Sequence, residues 1–279
     1  MELFDNPHKK YLDHGHVVLL DVMGSDEDIE YAARMSYANG TRTVSQTQSL
    51  LDFLMRHEHT SPFEMAEIKF QIKMPIFVMR QLVRHRTANL NEQSLRYSKA
   101  TDEFYVPNVS RMNTQSSSNK QCSSEELVQW PEQVRNLISV FNENAYDGYT
   151  ALLDSRLSRE LARGILPVNG YTEVVWKIDL KNLMHFLKLR LHSHAQKEIR
   201  WLAQAMYDLL KETGKFDLTL DAFERYILNA SKMSSEEMKI LQFVFKSVDK
   251  EDIQEIMKLT GAKLSAREIN ELKEKLNVK

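Results

Sequence analysis

The sequence predicts an α+β fold, a mixed or antiparallel sheet flanked by helices, with a helical extension at the C-terminus. Three observations carry this. Ala66 to Met74 and Thr172 to Ile178 alternate apolar and polar residues at period two, which suits strands with one buried face. Elsewhere, apolar residues recur at spacings of three and four, the helical period. The chain has 279 residues, 42% hydrophobic and 27% charged, enough to bury a sizeable core.

Taken in order, His16 to Met23 is a short apolar run and reads as a buried strand. Ser25 caps a helix, with Asp28 in the capping-box position and Ile29, Ala32 and Ala33 on its apolar face. Leu50, Leu51 and Leu54 indicate a second helix ending near His57. After the Ala66–Met74 strand, Pro75 suits a helix start, and the helix is expected to run through Arg84, His85 and Arg86 until Asn89 and Asn91 end it. Arg111 to Ser124 is rich in Ser, Asn and Gln and reads as an exposed loop. Val134, Leu137, Ile138, Phe141, Ala145, Tyr149 and Leu152 mark a long helix beyond Pro131. Ser158 starts a short helix that stops before Pro167. Asp179 can cap a helix carrying Leu180, Leu183, Met184 and Leu187, and Ser193 with Gln196 reads as a capping box opening a helix to about Gly214. The last fifty residues hold two more capping boxes, Ser234 with Glu237 and Ser265 with Glu268, and no cluster of chemistry-bearing groups.

Composition excludes several functions. The net charge of -2, from 37 Lys+Arg against 39 Asp+Glu, gives no global basis for binding polynucleotide or a membrane surface. The eight glycines stand no closer than six residues apart, so both common glycine-loop phosphate cradles are absent. A bound nucleotide would have to be held mainly by side chains. The single Cys122 excludes an intrachain disulfide and a multi-cysteine zinc site, and points to a reducing, cytoplasmic setting. Met1 to Lys10 is polar, and no stretch approaches a membrane span.

The chemistry concentrates in Arg80 to Ser98. Arg80, Arg84, His85, Arg86 and Arg96 fall within seventeen residues, followed or interleaved by Asn91, Glu92, Gln93, Ser94 and Tyr97. A solvated basic helix end needs no such variety of donors and acceptors, whereas clustered guanidiniums suit phosphate or pyrophosphate.

Arg84-His85-Arg86, seven residues, then Ser94 resembles the signature of the flavin-dependent thymidylate synthases. The flanks His59-Thr60-Ser61-Pro62-Phe63-Glu64 and Arg96-Tyr97-Ser98 fit, as does the block Arg190 with Ser193-His194-Ala195-Gln196. The likeness runs from about Leu12 to Ala230, which suggests a family domain over residues 1–230 and a helical extension over 231–279. The resemblance implies conversion of dUMP to dTMP, with methylenetetrahydrofolate as carbon donor, NADPH as reductant and FAD as bound cofactor. It implies that Ser61, Arg84, His85, Arg86, Glu92, Asp179, Lys181, His185 and His194 lie about FAD. Gln81, Arg84, Glu92, Gln93, Ser94, Leu95, Arg96, Arg163 and Arg190 would hold dUMP, with Arg190 facing the pyrimidine and favouring its ionised form. It further implies a homotetramer with sites shared between subunits. Asp179 and Lys181 depart from the Asn and Arg expected there; Lys lacks the planar fork, and Asp179 can serve simply as a helix cap. Cys122, in a serine-rich stretch far in sequence from the arginines, reads as an incidental loop cysteine, so no thiolate attack on uracil is expected.

Two rival readings rest on fewer residues. His57 with His59, His192 with His194, and Glu64 could be metal ligands, but residues two apart do not share a helix face. A polynucleotide binder has only the Arg80–Arg96 cluster behind it and no matching motif.

Overall fold

In the computed structural model the chain divides into two compact units, Met1–Leu228 and Asn229–Lys279. The structure describes residues 6–36, 47–117, 120–245 and 250–276. Met1 to Asp5, Gly40 and Ser118, read above, lie outside the described residues.

The first unit is built on a five-stranded sheet of β1 (His8–Tyr11), β2 (Gly15–Met23), β3 (Glu67–Pro75), β4 (Ala88–Glu92) and a later strand, β7 (Tyr171–Asp179). Its order is β1-β2-β3-β7-β4, and every neighbouring pair is antiparallel. The alternation read in the sequence becomes a two-faced sheet. Ile68, Phe70, Ile72 and Met74 of β3 and Val174, Trp176 and Ile178 of β7 are buried. The opposite face carries cross-strand polar pairs: Lys177 to Glu67 at 2.6 Å, and Gln71 to Glu173 at 2.6 Å.

Between β2 and β3 lie α1 (Asp26–Arg34) and α2 (Thr47–Arg56). Ser25 caps α1 as expected, accepting from the Asp28 backbone N–H at 3.4 Å. Buried Asp26 ties this region to a later helix by accepting from Leu218 and Thr219 backbone N–H groups at 2.8 and 3.0 Å.

The helix after Pro75 is shorter than expected. α3 spans only Ile76–Leu82, and Ala88–Glu92 forms the edge strand β4. The open flank of β7 supplies the reason: Ala88 pairs with Ile178 and Glu92 with Val174, giving the backbone partners that a longer helix would otherwise have provided. Arg84, His85 and Arg86 therefore sit in the turn between helix and strand. The segment read as a loop after Arg111 is instead a two-stranded ribbon, β5 (Asn113–Gln115) and β6 (Ser123–Leu127). Its side chains are polar because nothing covers it as a sheet; Thr114 and Ser124 hydroxyls bond across it at 2.6 Å.

The long helix α4 (Pro131–Asp154) and short α5 (Arg159–Ala162) follow. α4 leaves Leu137 and Phe141 at 54% and 63% exposure, so much of its apolar face is uncovered within one chain. α6 (Leu180–Arg190) and α7 (Lys197–Glu212) then pack on the apolar sheet face, with Leu183, Leu187, Ile199, Leu202 and Met206 all fully buried. Asp179 caps α6 as read. The second expected cap is corrected: α7 begins with Gln196 as its N-cap residue and has no side-chain cap. Ser193 belongs to the preceding turn, where its carbonyl accepts from Arg200 at 3.0 Å. α8 (Asp217–Phe223) completes the core.

The second unit holds α9 (Ser235–Val244), α10 (Lys250–Thr260) and α11 (Ala266–Leu276). Both predicted capping boxes form: Ser234 N–H donates to Glu237 at 2.7 Å, and Ser265 N–H donates to Glu268 at 2.8 Å. Gln242 donates to the Lys275 carbonyl at 2.8 Å, joining α9 to α11.

Candidate active site

The residues of interest form two groups, and β4 separates them. At its start, the turn after α3 meets the end of α6. Arg190 Nε donates to His85 Nε2 at 3.0 Å, and its Nη2 donates to the Gln81 carbonyl at 3.3 Å. Two sequence blocks more than a hundred residues apart are thereby joined. His85 also meets the Phe186 ring edge-on at 4.9 Å and lies 6.3 Å from the His185 ring.

Burial and this contact together set the electrical state of the histidine. Burial, then the Arg190 charge and His185, pulls the His85 pKa down to about 4 from 6.5. The ring is neutral at pH 7, and Nε2 is its acceptor. Arg190 is itself held below the usual arginine range by burial and the nearby Arg84 charge, yet stays a cation at any working pH. Its remaining N–H groups are available to a ligand. Arg84 and Arg86 are exposed and make no ion pair among the described residues.

A further chain of bonds runs into this group from α7. Gln81 Nε2 donates to Gln196 Oε1 at 2.7 Å, and Gln196 Nε2 donates to Glu198 at 2.8 Å. Glu198, only 2% exposed, also accepts from Arg111 at 2.9 Å and from the Tyr105 hydroxyl at 3.1 Å. Burial alone would raise the Glu198 pKa, but the bond and charge of Arg111 outweigh it and hold the carboxyl below its usual range. Neither Glu198 nor Arg111 was expected from the sequence. A detectable signal existed: Glu198 falls in register with Leu202, Ala205 and Leu209 on the apolar face of α7, and a carboxylate there needs a partner.

The second group lies past the other end of β4. The strand advances about 14 Å from Ala88 to Glu92 at about 3.4 Å per residue. Glu92 accepts from the Thr172 hydroxyl at 2.7 Å, and Gln93 N–H donates to the Glu173 carbonyl at 2.9 Å. Ser94 turns the chain, its Oγ accepting from Arg96 N–H at 3.3 Å. Leu95 is half-buried in this turn, and Arg96 reaches Glu160 of α5 at 3.3 Å. Arg163, just after α5, is exposed and forms no ion pair among the described residues. A depression of about 260 Å³ opens here, lined by Gln71, Asn91, Glu92, Gln93 and Glu173.

The remaining candidates are dispersed. Asp179 turns both carboxylate oxygens onto Asn182, at 2.8 and 2.7 Å, so its charge serves the first turn of its own helix. Lys181 contacts the same Asn182 at 3.3 Å. Ser61 and His194 are exposed. Cys122 is half-buried on the ribbon, its thiol donating to the His194 carbonyl at 3.3 Å. The fold thus brings this distant cysteine beside the second motif block. Among the described residues, no cluster of three or more His, Cys, Asp or Glu side chains could hold a metal ion.

A half-buried arginine oriented by a neutral histidine, with unpaired guanidiniums around it, suits a phosphorylated, anionic ligand. Residues 18–213 match the family described as "Thymidylate synthase complementing protein". A relative from Wolbachia pipientis called flavin-dependent thymidylate synthase is 46% identical over 240 residues, 85% of this chain and 83% of that protein. Another of the same name from Thermus thermophilus is 48% identical over 231 residues, 83% of each chain. Among solved structures, a UMP/dUMP methylase from Streptomyces cacaoi bound with 5-Br dUMP matches with a TM-score of 0.70 at 32% identity, covering 78% of this chain and 97% of that one. The chain belongs to the flavin-dependent thymidylate synthase family.

Proposed function

We propose that the protein converts dUMP to dTMP, taking the carbon from methylenetetrahydrofolate and the reducing equivalents from NADPH through bound FAD. The observation that carries this reading is the Arg190–His85–Gln81 contact, which unites the two motif blocks into one polar site. Arg190 faces the uracil ring and stabilises the negative charge that develops as C5 becomes nucleophilic. A guanidinium does not give up its proton at neutral pH, so Arg190 acts as a fixed cation rather than a general acid. His85, neutral and accepting, holds that cation in place.

FAD fits the donor set. Arg84 and Arg86 make no ion pair among the described residues, and an exposed guanidinium pair suits a pyrophosphate where no glycine loop exists. Bound FAD supplies hydride chemistry. The chain's residues orient the nucleotide and set the charge around it. Glu92, Gln93, Ser94, Leu95, Arg96 and Arg163 complete the dUMP site. Ser61, Lys181, His185 and His194 line the flavin, and Asp179 contributes there through its helix cap. The chemistry needs no cysteine nucleophile, and Cys122, just before β6, has its thiol turned to the His194 carbonyl.

The two groups at opposite ends of β4 favour a homotetramer in which one subunit supplies Gln81, Arg84 and Arg190 and another supplies Glu92 to Arg96 and Arg163. The uncovered apolar face of α4, with Leu137 and Phe141 exposed, provides surface for such assembly. Among the described residues no helix is long and apolar enough to cross a membrane, and the lone cysteine fits a reducing cytoplasm. Residues 1–230 form the catalytic domain in this reading, and 231–279 a helical accessory element.

The test is a spectrum and an assay. Purified protein should carry a flavin and should form dTMP from dUMP anaerobically when given methylenetetrahydrofolate and NADPH. Protein without flavin that yields no dTMP would overturn the reading. UMP as an alternative substrate sets the sugar preference.

A further inference from the structure

The bonds from Glu198 to Gln81 have a fixed direction. Glu198 is buried and ionised, so its carboxylate can only accept. It takes two donors from Arg111 at 2.9 and 3.4 Å, one from Tyr105 at 3.1 Å and one from Gln196 at 2.8 Å. Gln196 must therefore turn its NH₂ toward Glu198, which leaves its Oε1 facing outward. That oxygen needs a donor and finds the amide of Gln81 at 2.7 Å. The orientation of each carboxamide follows from a single buried charge, whichever way the amides are first drawn.

We propose that Gln196, oriented by Glu198, is a positioning residue for the nucleotide site, fixing which end of the Gln81 carboxamide faces dUMP. Gln81 gives one amide N–H to Gln196 and keeps its other N–H and its Oε1, in a defined order, for the nucleotide. The same residue's backbone carbonyl holds Arg190 at 3.3 Å, so the relay steadies both the side chain and the peptide unit beside the activating cation. Pre-orienting an amide removes its rotational freedom before the ligand arrives, which strengthens binding without a new contact to the ligand. Gln196 itself is exposed and its side chain caps no backbone N–H of α7, so its loss removes no helix cap.

This inference rests on Gln81 belonging to the dUMP site, and the experiment separates the two. In the flavin-loaded full-length protein, dUMP affinity is read from the perturbation of flavin absorbance, alongside kcat and KM. Gln196→Ala and Gln196→Met should each weaken dUMP binding about fivefold, with flavin content, Tm and kcat near wild type. The methionine variant keeps the length but has no N–H for Glu198 and no oxygen for Gln81, so a space-filling role would tolerate it. In a Gln81→Ala background, Gln196→Ala should add nothing further. Unchanged dUMP affinity in either single variant, or full additivity in the double variant, overturns the proposal. A wild-type protein that binds flavin but no dUMP removes the underlying site reading, and the positioning role with it.

Discussion

The two halves of the candidate site are built in opposite ways. The half around Gln81, His85 and Arg190 is interlocked, with a neutral histidine, a fixed cation and a bond relay that starts at a buried carboxylate. The half around Glu92 to Arg96 and Arg163 is open: it lies at and beyond the end of an edge strand, and Arg163 stands exposed without an ion-pair partner among the described residues. The first half can hold charge in one place before any ligand arrives. The second is tied to its neighbours mainly through backbone and turn bonds and leaves Gln93 and Arg163 exposed to a ligand. Under the proposed function, electrostatic activation falls to the first and capture of the phosphorylated nucleotide to the second.

Substitutions should separate these roles. Arg190→Ala is expected to have the largest effect, lowering kcat for dTMP formation by about 100-fold or more while flavin content stays near wild type. Near-normal turnover in that variant would remove the activating role. Arg163→Ala should act on binding, raising the dUMP KM about tenfold with a smaller change in kcat, because a phosphate contact is made equally in ground and transition states. A fall in kcat at unchanged KM would reverse the assignment of the halves.

A pH titration sharpens the same contrast. His85 should stay neutral until the pH nears 4, well below its ordinary 6.5, as read by NMR of the imidazole. Between those values the unfolded chain takes up a proton that the folded chain refuses, so stability falls as pH drops through this window. A midpoint near 6.5 would mean that the ring is neither buried nor held against Arg190. Asp179→Ala should cost about 1 kcal/mol of stability through the lost cap, with flavin retained. Cys122→Ala should have the smallest effect, leaving dTMP formation intact; its loss would restore a role for the thiol.

The sheet was legible because burial on one face leaves a period-two trace: Ile68, Phe70 and Ile72 alternate with Lys69 and Gln71, and the structure follows them. β4 left no such trace. Ala88-Asn89-Leu90-Asn91-Glu92 is a strand because β7 offers it an edge, a long-range cause that local spacing does not carry. The β5–β6 ribbon is polar for the same reason, with no layer burying it. In the site, the arginines and Ser94 were legible by their density and spacing. The Arg111–Glu198–Gln196 relay was hidden because its members look like a loop cation, a helix charge and a cap. Only folding brings them together.

Co-expression tests most directly whether two subunits complete one site. Arg190→Ala and Arg163→Ala, each nearly inactive alone at low dUMP, are co-expressed and purified as mixed assemblies. Some sites in a mixture then combine an intact Arg190 half with an intact Arg163 half. The predicted result is recovered dTMP formation well above either variant alone; a mixture no more active than its components would contradict the shared site.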